Sequence, residues 1–109
     1  MKKKPAKLHL EKQYEKDSDA LYDALRSLES RHELRAFFKD LCTPAEIRAF
    51  AERWRVACLL DERKLSYRDI REQTGVSLAT IGRVARFLMH EPHHGYIAAL
   101  KKRKKLSKS

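Results

Sequence analysis

From Asp17 to Met89 only Pro44, Gly75 and Gly82 interrupt the chain. A stretch so poor in helix breakers has little room for turns, so it reads as helices joined by short connections. Its apolar residues recur near a 3.6-residue period. Leu21, Tyr22, Ala24, Leu25 and Leu28 form one stripe, and Leu34, Phe37, Phe38 and Leu41 form a second at i, i+3, i+4 and i+7, the mark of two amphipathic helices. Ser30 and Glu33 open the second as a capping box: the hydroxyl takes the Glu33 amide and the carboxylate reaches back.

A third helix begins at Thr43-Pro44-Ala45-Glu46, with Thr as cap, Pro in the first turn where no amide is needed, and Glu closing the box. Ile47, Phe50, Ala51, Trp54, Ala57 and Cys58 run one apolar face along it, which predicts the longest helix and the centre of the core, with Trp54 packing there. Shorter helices are expected from Ser66 to Thr74 and from Ser77 to Met89. A last one follows Gly95 and carries Tyr96, Ile97 and Leu100, and Pro92 breaks the chain before it. The fold class is all-α. With 109 residues there is room for one domain of modest core, taken as residues 16–100 between a basic tail at 1–15 and a Lys-rich tail at 101–109.

The chain carries 25 Lys and Arg against 15 Asp and Glu, a formal charge of +10. Lys2, Lys3, Lys4 and Lys7 at one end, and Lys101, Lys102, Arg103, Lys104, Lys105 and Lys108 at the other, account for the whole excess, so residues 8–100 are neutral. Within that body residues 53–100 lean positive, with 8 bases and 5 acids. Basic ends on a lopsided body suit a polyanion, because each phosphate neutralised releases condensed counterions. Solvated Lys-rich ends without a partner are the plainer alternative.

Residues 66–89 give the sharpest functional signal: a capped helix, a glycine turn and a second capped helix, the spacing of a helix-turn-helix. Ser66 with Asp69 caps the first helix, Ile70 faces inward, and Gly75 supplies the positive φ a sharp turn requires. Val76, Ile81, Val84 or Ala85, and Leu88 bury the second helix. That leaves Ser77, Ala79, Thr80, Arg83 and Arg86 on an outer side, with no acid from Val76 to His90. Small residues at the first turn permit close approach to base edges in the major groove, and the helix N-terminus attracts a phosphate. Arg68 on the preceding helix could reach a guanine edge. The same spacing also suits an ordinary helical hairpin with a solvated Arg face.

With these residues in view, the chain resembles the Trp-repressor family, and within it the YerC/YecD-like branch, from Asp19 through Tyr96. The resemblance rests on residues 37–46 (Phe-Phe-Lys-Asp-Leu-Cys-Thr-Pro-Ala-Glu), 53–62 (Arg-Trp-Arg-Val-Ala-Cys-Leu-Leu-Asp-Glu), 67–70 (Tyr-Arg-Asp-Ile), 74–84 (Thr-Gly-Val-Ser-Leu-Ala-Thr-Ile-Gly-Arg-Val) and Gly95-Tyr96. It implies an intertwined homodimer presenting two helix-turn-helix heads, DNA contacts near Arg68, Arg71, Leu78, Ala79 and Thr80, and a role in transcriptional regulation on a pseudo-palindromic operator. Members that sense tryptophan hold it with two arginines, a glycine and a serine. Arg53 and Arg83 stand at the arginine positions, but Val84 replaces the glycine and Phe87 the serine. The expectation is that these side chains fill the indole space and that tryptophan is not the ligand.

Other signals are weaker. His90 and His94 have the separation of metal ligands on a helix, but Pro92 breaks that helix, so His90, His93 and His94 are read as a solvent-facing loop and no metal or cofactor is expected. Cys42 and Cys58 read as reduced thiols without a disulfide. No Gly-rich phosphate loop, nucleophile elbow or metalloprotease helix occurs, so no enzyme is expected. No apolar run approaches the roughly 20 residues of a membrane span, and a cytoplasmic protein is expected. The leading function is therefore a sequence-specific DNA-binding regulator that pairs with itself and with double-stranded DNA. A nonspecific DNA or RNA binder driven by the tails is second, and a protein adaptor docking through the acidic front half is third.

Overall fold

The computed structural model describes residues 3–108 and the side chains of residues 6–107. Met1, Lys2 and Ser109 lie outside the described residues, and with them part of both terminal tails. Six helices make up the described chain: α1 Lys3–Ser27, α2 Arg31–Leu41, α3 Pro44–Glu62, α4 Tyr67–Thr74, α5 Leu78–Met89 and α6 Gly95–Lys108. The chain falls into two compact units that meet between Thr43 and Pro44.

The first unit holds α1 and α2. Ser30 caps α2 as its sequence foretells, accepting from the Glu33 amide at 3.1 Å. The Glu33 carboxylate reaches one residue further back than expected and takes the Glu29 amide at 2.9 Å, still satisfying a donor that the start of a helix leaves free. No described side chain in this unit is buried. Leu21, Ala24, Leu25, Leu28, Phe37 and Phe38 are half-buried, while Tyr22, Leu34 and Leu41 are exposed. The stripes expected of these helices are present, but within the unit they are covered only in part.

The second unit holds the core. Val56, Ala57, Cys58 and Leu60 of α3 pack with Ile70 of α4, Val76 of the turn, Ile81, Val84, Ala85 and Leu88 of α5, and Leu100 of α6. Trp54, Leu59, Leu65, Tyr96 and Ile97 close over them half-buried, so Trp54 is a packing residue. Helix α5 lies at the centre, in contact with α3, α4 and α6. Two expectations for α3 need correction. It spans 19 residues and α1 spans 25, so α3 is not the longest helix. Only its second half enters the core: Phe50 is 43% exposed and Ala51 is exposed. Helical period records which residues share a face, not how far along that face a partner extends.

Cys42 and Cys58 are free thiols. Burial pushes the Cys58 thiol above its ordinary range; Glu62 and Asp61 raise it further, and Arg103 opposes them. The segments assigned as tails are helical as far as they are described, since α1 begins at Lys3 and α6 runs to Lys108.

Candidate nucleic-acid interface

Local chemistry fixes both helix starts and the turn between them. Ser66 accepts the Asp69 amide at 3.1 Å and the Asp69 carboxylate takes the Ser66 amide at 3.3 Å, a complete capping box. Helix α4 stops at Gly75, whose φ of 77° is left-handed and whose amide donates to the Arg71 carbonyl. An added Cβ on Gly75 would meet nothing within 4 Å, so the glycine answers a backbone demand rather than a tight space. Thr74 supports the turn: its hydroxyl donates to the Ile70 carbonyl at 2.7 Å and accepts the Val76 amide at 3.1 Å. Ser77 then caps α5, accepting the Thr80 amide at 3.2 Å and donating to the Thr80 hydroxyl at 3.1 Å.

Burial sorts the rest. Ile70 and Ile81 are 0% exposed, and Val76, Val84, Ala85 and Leu88 stay below a tenth, so both Val84 and Ala85 face inward. Arg68, Arg71, Ser77, Leu78, Ala79, Arg83 and Arg86 are exposed. On α5, Ala79, Arg83 and Arg86 recur at i, i+4 and i+7 and therefore share one outer face. Thr80 differs from its expected place. It is half-buried and lines a recess of about 220 Å³ with Ala49, Glu52, Arg53, Gly75, Val76 and Ser77.

Both arginines on the outer face of α5 have partners that sequence reading missed. The Arg83 guanidinium lies 4.4 Å from the centre of the Phe87 ring, and Arg86 donates to Glu91 at 3.2 Å. His93 stacks on Phe87 at 5.9 Å with 14° between the rings, and its Nε2 is 3.8 Å from the same Glu91 carboxylate. No helical period links Arg86 with Glu91, or Phe87 with His93, because α5 ends at Met89. Only the path of the following loop brings them together.

Arg53, Arg83, Val84, Phe87, His93, Gly95 and Tyr96 line a cavity of about 320 Å³. Val84 and Phe87 thus narrow this space without filling it, which modifies the sequence expectation. The side chains around it include two guanidiniums, an imidazole and no carboxylate. Among the described residues no group of His, Cys, Asp or Glu is arranged to hold a metal ion, and no helix is long and apolar enough to cross a membrane.

The family model described as Trp repressor protein matches residues 16–104. The chain belongs to the Trp repressor family. The YerC protein of Bacillus subtilis (strain 168), itself uncharacterised, is 41% identical over 81 residues, covering 74% of this chain and 77% of that one. Two solved Trp repressor relatives share the fold. A Staphylococcus aureus protein whose crystal structure was solved as a candidate Trp repressor is 36% identical, with a TM-score of 0.74 over 81% of this chain and 86% of its own. A TrpR-like protein from Eubacterium eligens ATCC 27750 is 37% identical, with a TM-score of 0.76 over 82% of this chain and 90% of its own. The Trp repressor match starts at residue 16, so the first turns of α1 precede it.

Proposed function

We propose that this protein is a sequence-specific transcriptional regulator that binds a pseudo-palindromic DNA operator as a homodimer. The observation that carries the proposal is the pair α4 and α5, joined at a left-handed Gly75, with Ala79, Arg83 and Arg86 on the outer face of an α5 that itself holds no acid. In this reading they form a helix-turn-helix. The first turn of α5 enters the major groove, Leu78 and Ala79 approach base edges, and Arg68 and Arg71 reach across from α4. Thr80 meets a base or a thymine methyl, and Ser77, Arg83 and Arg86 position the duplex through its phosphates. The partly uncovered apolar stripes of α1, α2 and the front of α3 are then the surface on which two chains intertwine, placing half-sites about 34 Å apart. The protein acts in the cytoplasm and catalyses no reaction.

Selection of bound duplexes from a random library tests this directly. The wild type should enrich a two-fold-related sequence, and Arg68→Ala and Thr80→Ala should each relax it at a defined position. Equal affinity for all duplexes would instead favour the nonspecific binder, whose support is that the net charge resides in the terminal segments.

Tryptophan is not its effector in this proposal. Val84 and Phe87 narrow the cavity where an indole ring would have to sit, and no carboxylate lines it to receive an ammonium group. Calorimetry should show no tight tryptophan binding; tryptophan-dependent DNA binding would overturn this point.

A further inference from the structure

Helix α6 carries five consecutive cations, Lys101, Lys102, Arg103, Lys104 and Lys105, and no acid anywhere from Gly95 to Lys108. In sequence this run reads as a tail, whose lysines would act as interchangeable charges. The structure gives it a fixed orientation. Leu100, immediately before the run, is 3% exposed in the core, and Tyr96 and Ile97 pack against that core one turn earlier. Lys104 Nζ then pairs with Asp61 of α3 at 2.9 Å. Tyr96, Ile97 and Leu100 therefore face the body, and Lys104, though exposed, is tied to it.

An α-helix turns about 100° per residue, so the remaining cations can be placed. Taking Leu100 as inward, Lys104 follows within about 40° of it, in keeping with its pair to Asp61, and Arg103 falls within about 60° on the other side. Lys101, Lys102 and Lys105 fall between about 100° and 200°, on the face turned away from α3 and α5. All three are exposed. We infer that this outward face is a second DNA-contacting surface, a helical ridge of Lys101, Lys102 and Lys105 that lies along the phosphates of duplex flanking the operator. It rests on the DNA-binding reading above and adds to it: the contribution of this segment depends on which face a charge occupies, not on how many charges it holds. Duplex DNA suits the ridge because its regularly spaced phosphates can meet several ammonium groups held in fixed order, each contact releasing counterions.

Two full-length variants of equal charge separate the ridge from a tail. Lys101→Gln with Lys105→Gln strips the outward face, whereas Arg103→Gln with Lys104→Gln strips the inward one. Each would be titrated with a selected operator extended by random flanks and with a random duplex of the same length, over a range of salt. Circular dichroism would verify that both keep the helix content of the wild type. The outward pair should lose on the order of tenfold in affinity for both duplexes and flatten the salt slope by up to about 2 per protomer. The inward pair should change either quantity less than half as much. Equal losses from the two pairs would return the segment to a simple charged tail, and no loss from the outward pair would remove α6 from the DNA altogether. If the wild type binds no duplex, the DNA-binding reading fails first and takes the ridge with it. If it binds selectively while the two pairs behave alike, only the ridge fails.

Discussion

At the scale of single residues, backbone conformation and side-chain contact make separable demands on the two-helix segment. Gly75 and Gly82 both have open space where a Cβ would go, but only Gly75 has a positive φ. Substituting alanine should therefore have opposite signs at the two positions. Gly75→Ala should cost about 1–2 kcal/mol, because an L side chain resists the left-handed region. Gly82→Ala, inside α5, should add about 0.5–1 kcal/mol by reducing the freedom of the unfolded chain. Urea denaturation of the two variants checks both. Ser66→Ala removes the cap of α4 and should cost roughly 1 kcal/mol in the same assay. These positions were legible in the sequence because a cap or a turn is decided within four residues. Arg86 with Glu91, and Phe87 with His93, were not, since their contacts depend on the course of the loop beyond Met89. Thr80 shows the other limit. Its small hydroxyl placed it among the outward residues, but its half-buried position beside Glu52 and Arg53 depends on how α5 crosses α3.

Among the elements, α4 and α5 were readable nearly to the residue, and α1 and α6 were not read at full length. Caps and a glycine mark both ends of α4, whereas α1 and α6 continue through Lys-rich sequence that carries charge but no stop signal. Lysine is a good helix former, so a run of lysines is equally compatible with a tail and with a helix. Helix α3 shows why an apolar face is not a burial map. Its second half enters the core with α4 and α5, and its first half stays outside that core, with Phe50 and Ala51 exposed. The buried half gives a prediction at this scale. Burial raises the Cys58 thiol, so the folded chain holds that proton more tightly than the unfolded one. Stability from Cys58 is then fully present below the unfolded thiol's range and is lost as pH rises through the raised folded one. Unfolding midpoints should fall in alkaline solution in the wild type and fall less in Cys58→Ala, once the variant's own cavity cost is subtracted at neutral pH.

For the whole molecule, the uneven distribution of buried side chains is the dominant fact. Among the described residues, all eleven buried ones lie between Val56 and Leu100. The described residues up to Thr43 bury none, although they carry two complete apolar stripes. A chain of this composition does not leave such surface to water without a use for it, and the proposed homodimer supplies one. Phe38→Asp, in the half-buried stripe of α2, should therefore shift sedimentation from dimer toward monomer at micromolar concentration. A sedimentation profile unchanged by the substitution would speak against α2 as part of the interface. Fold class and family were legible from the sequence at this scale because period and motif are carried by every turn of helix. The division into a buried and an uncovered part was not, because helical period records which residues share a face and not where a packing partner lies.

That division has a consequence for how the amount of protein governs its action. Helix α5 is locked in place by residues of its own chain, from Val56 on α3 to Leu100 on α6, so under the proposed function a lone subunit would already own a finished head and lack only a clamp. In the proposed dimer, dilution would leave the head intact and dissolve the spacing between heads. Promoter occupancy would then climb with roughly the square of subunit abundance at low expression, making gene dosage itself the dial.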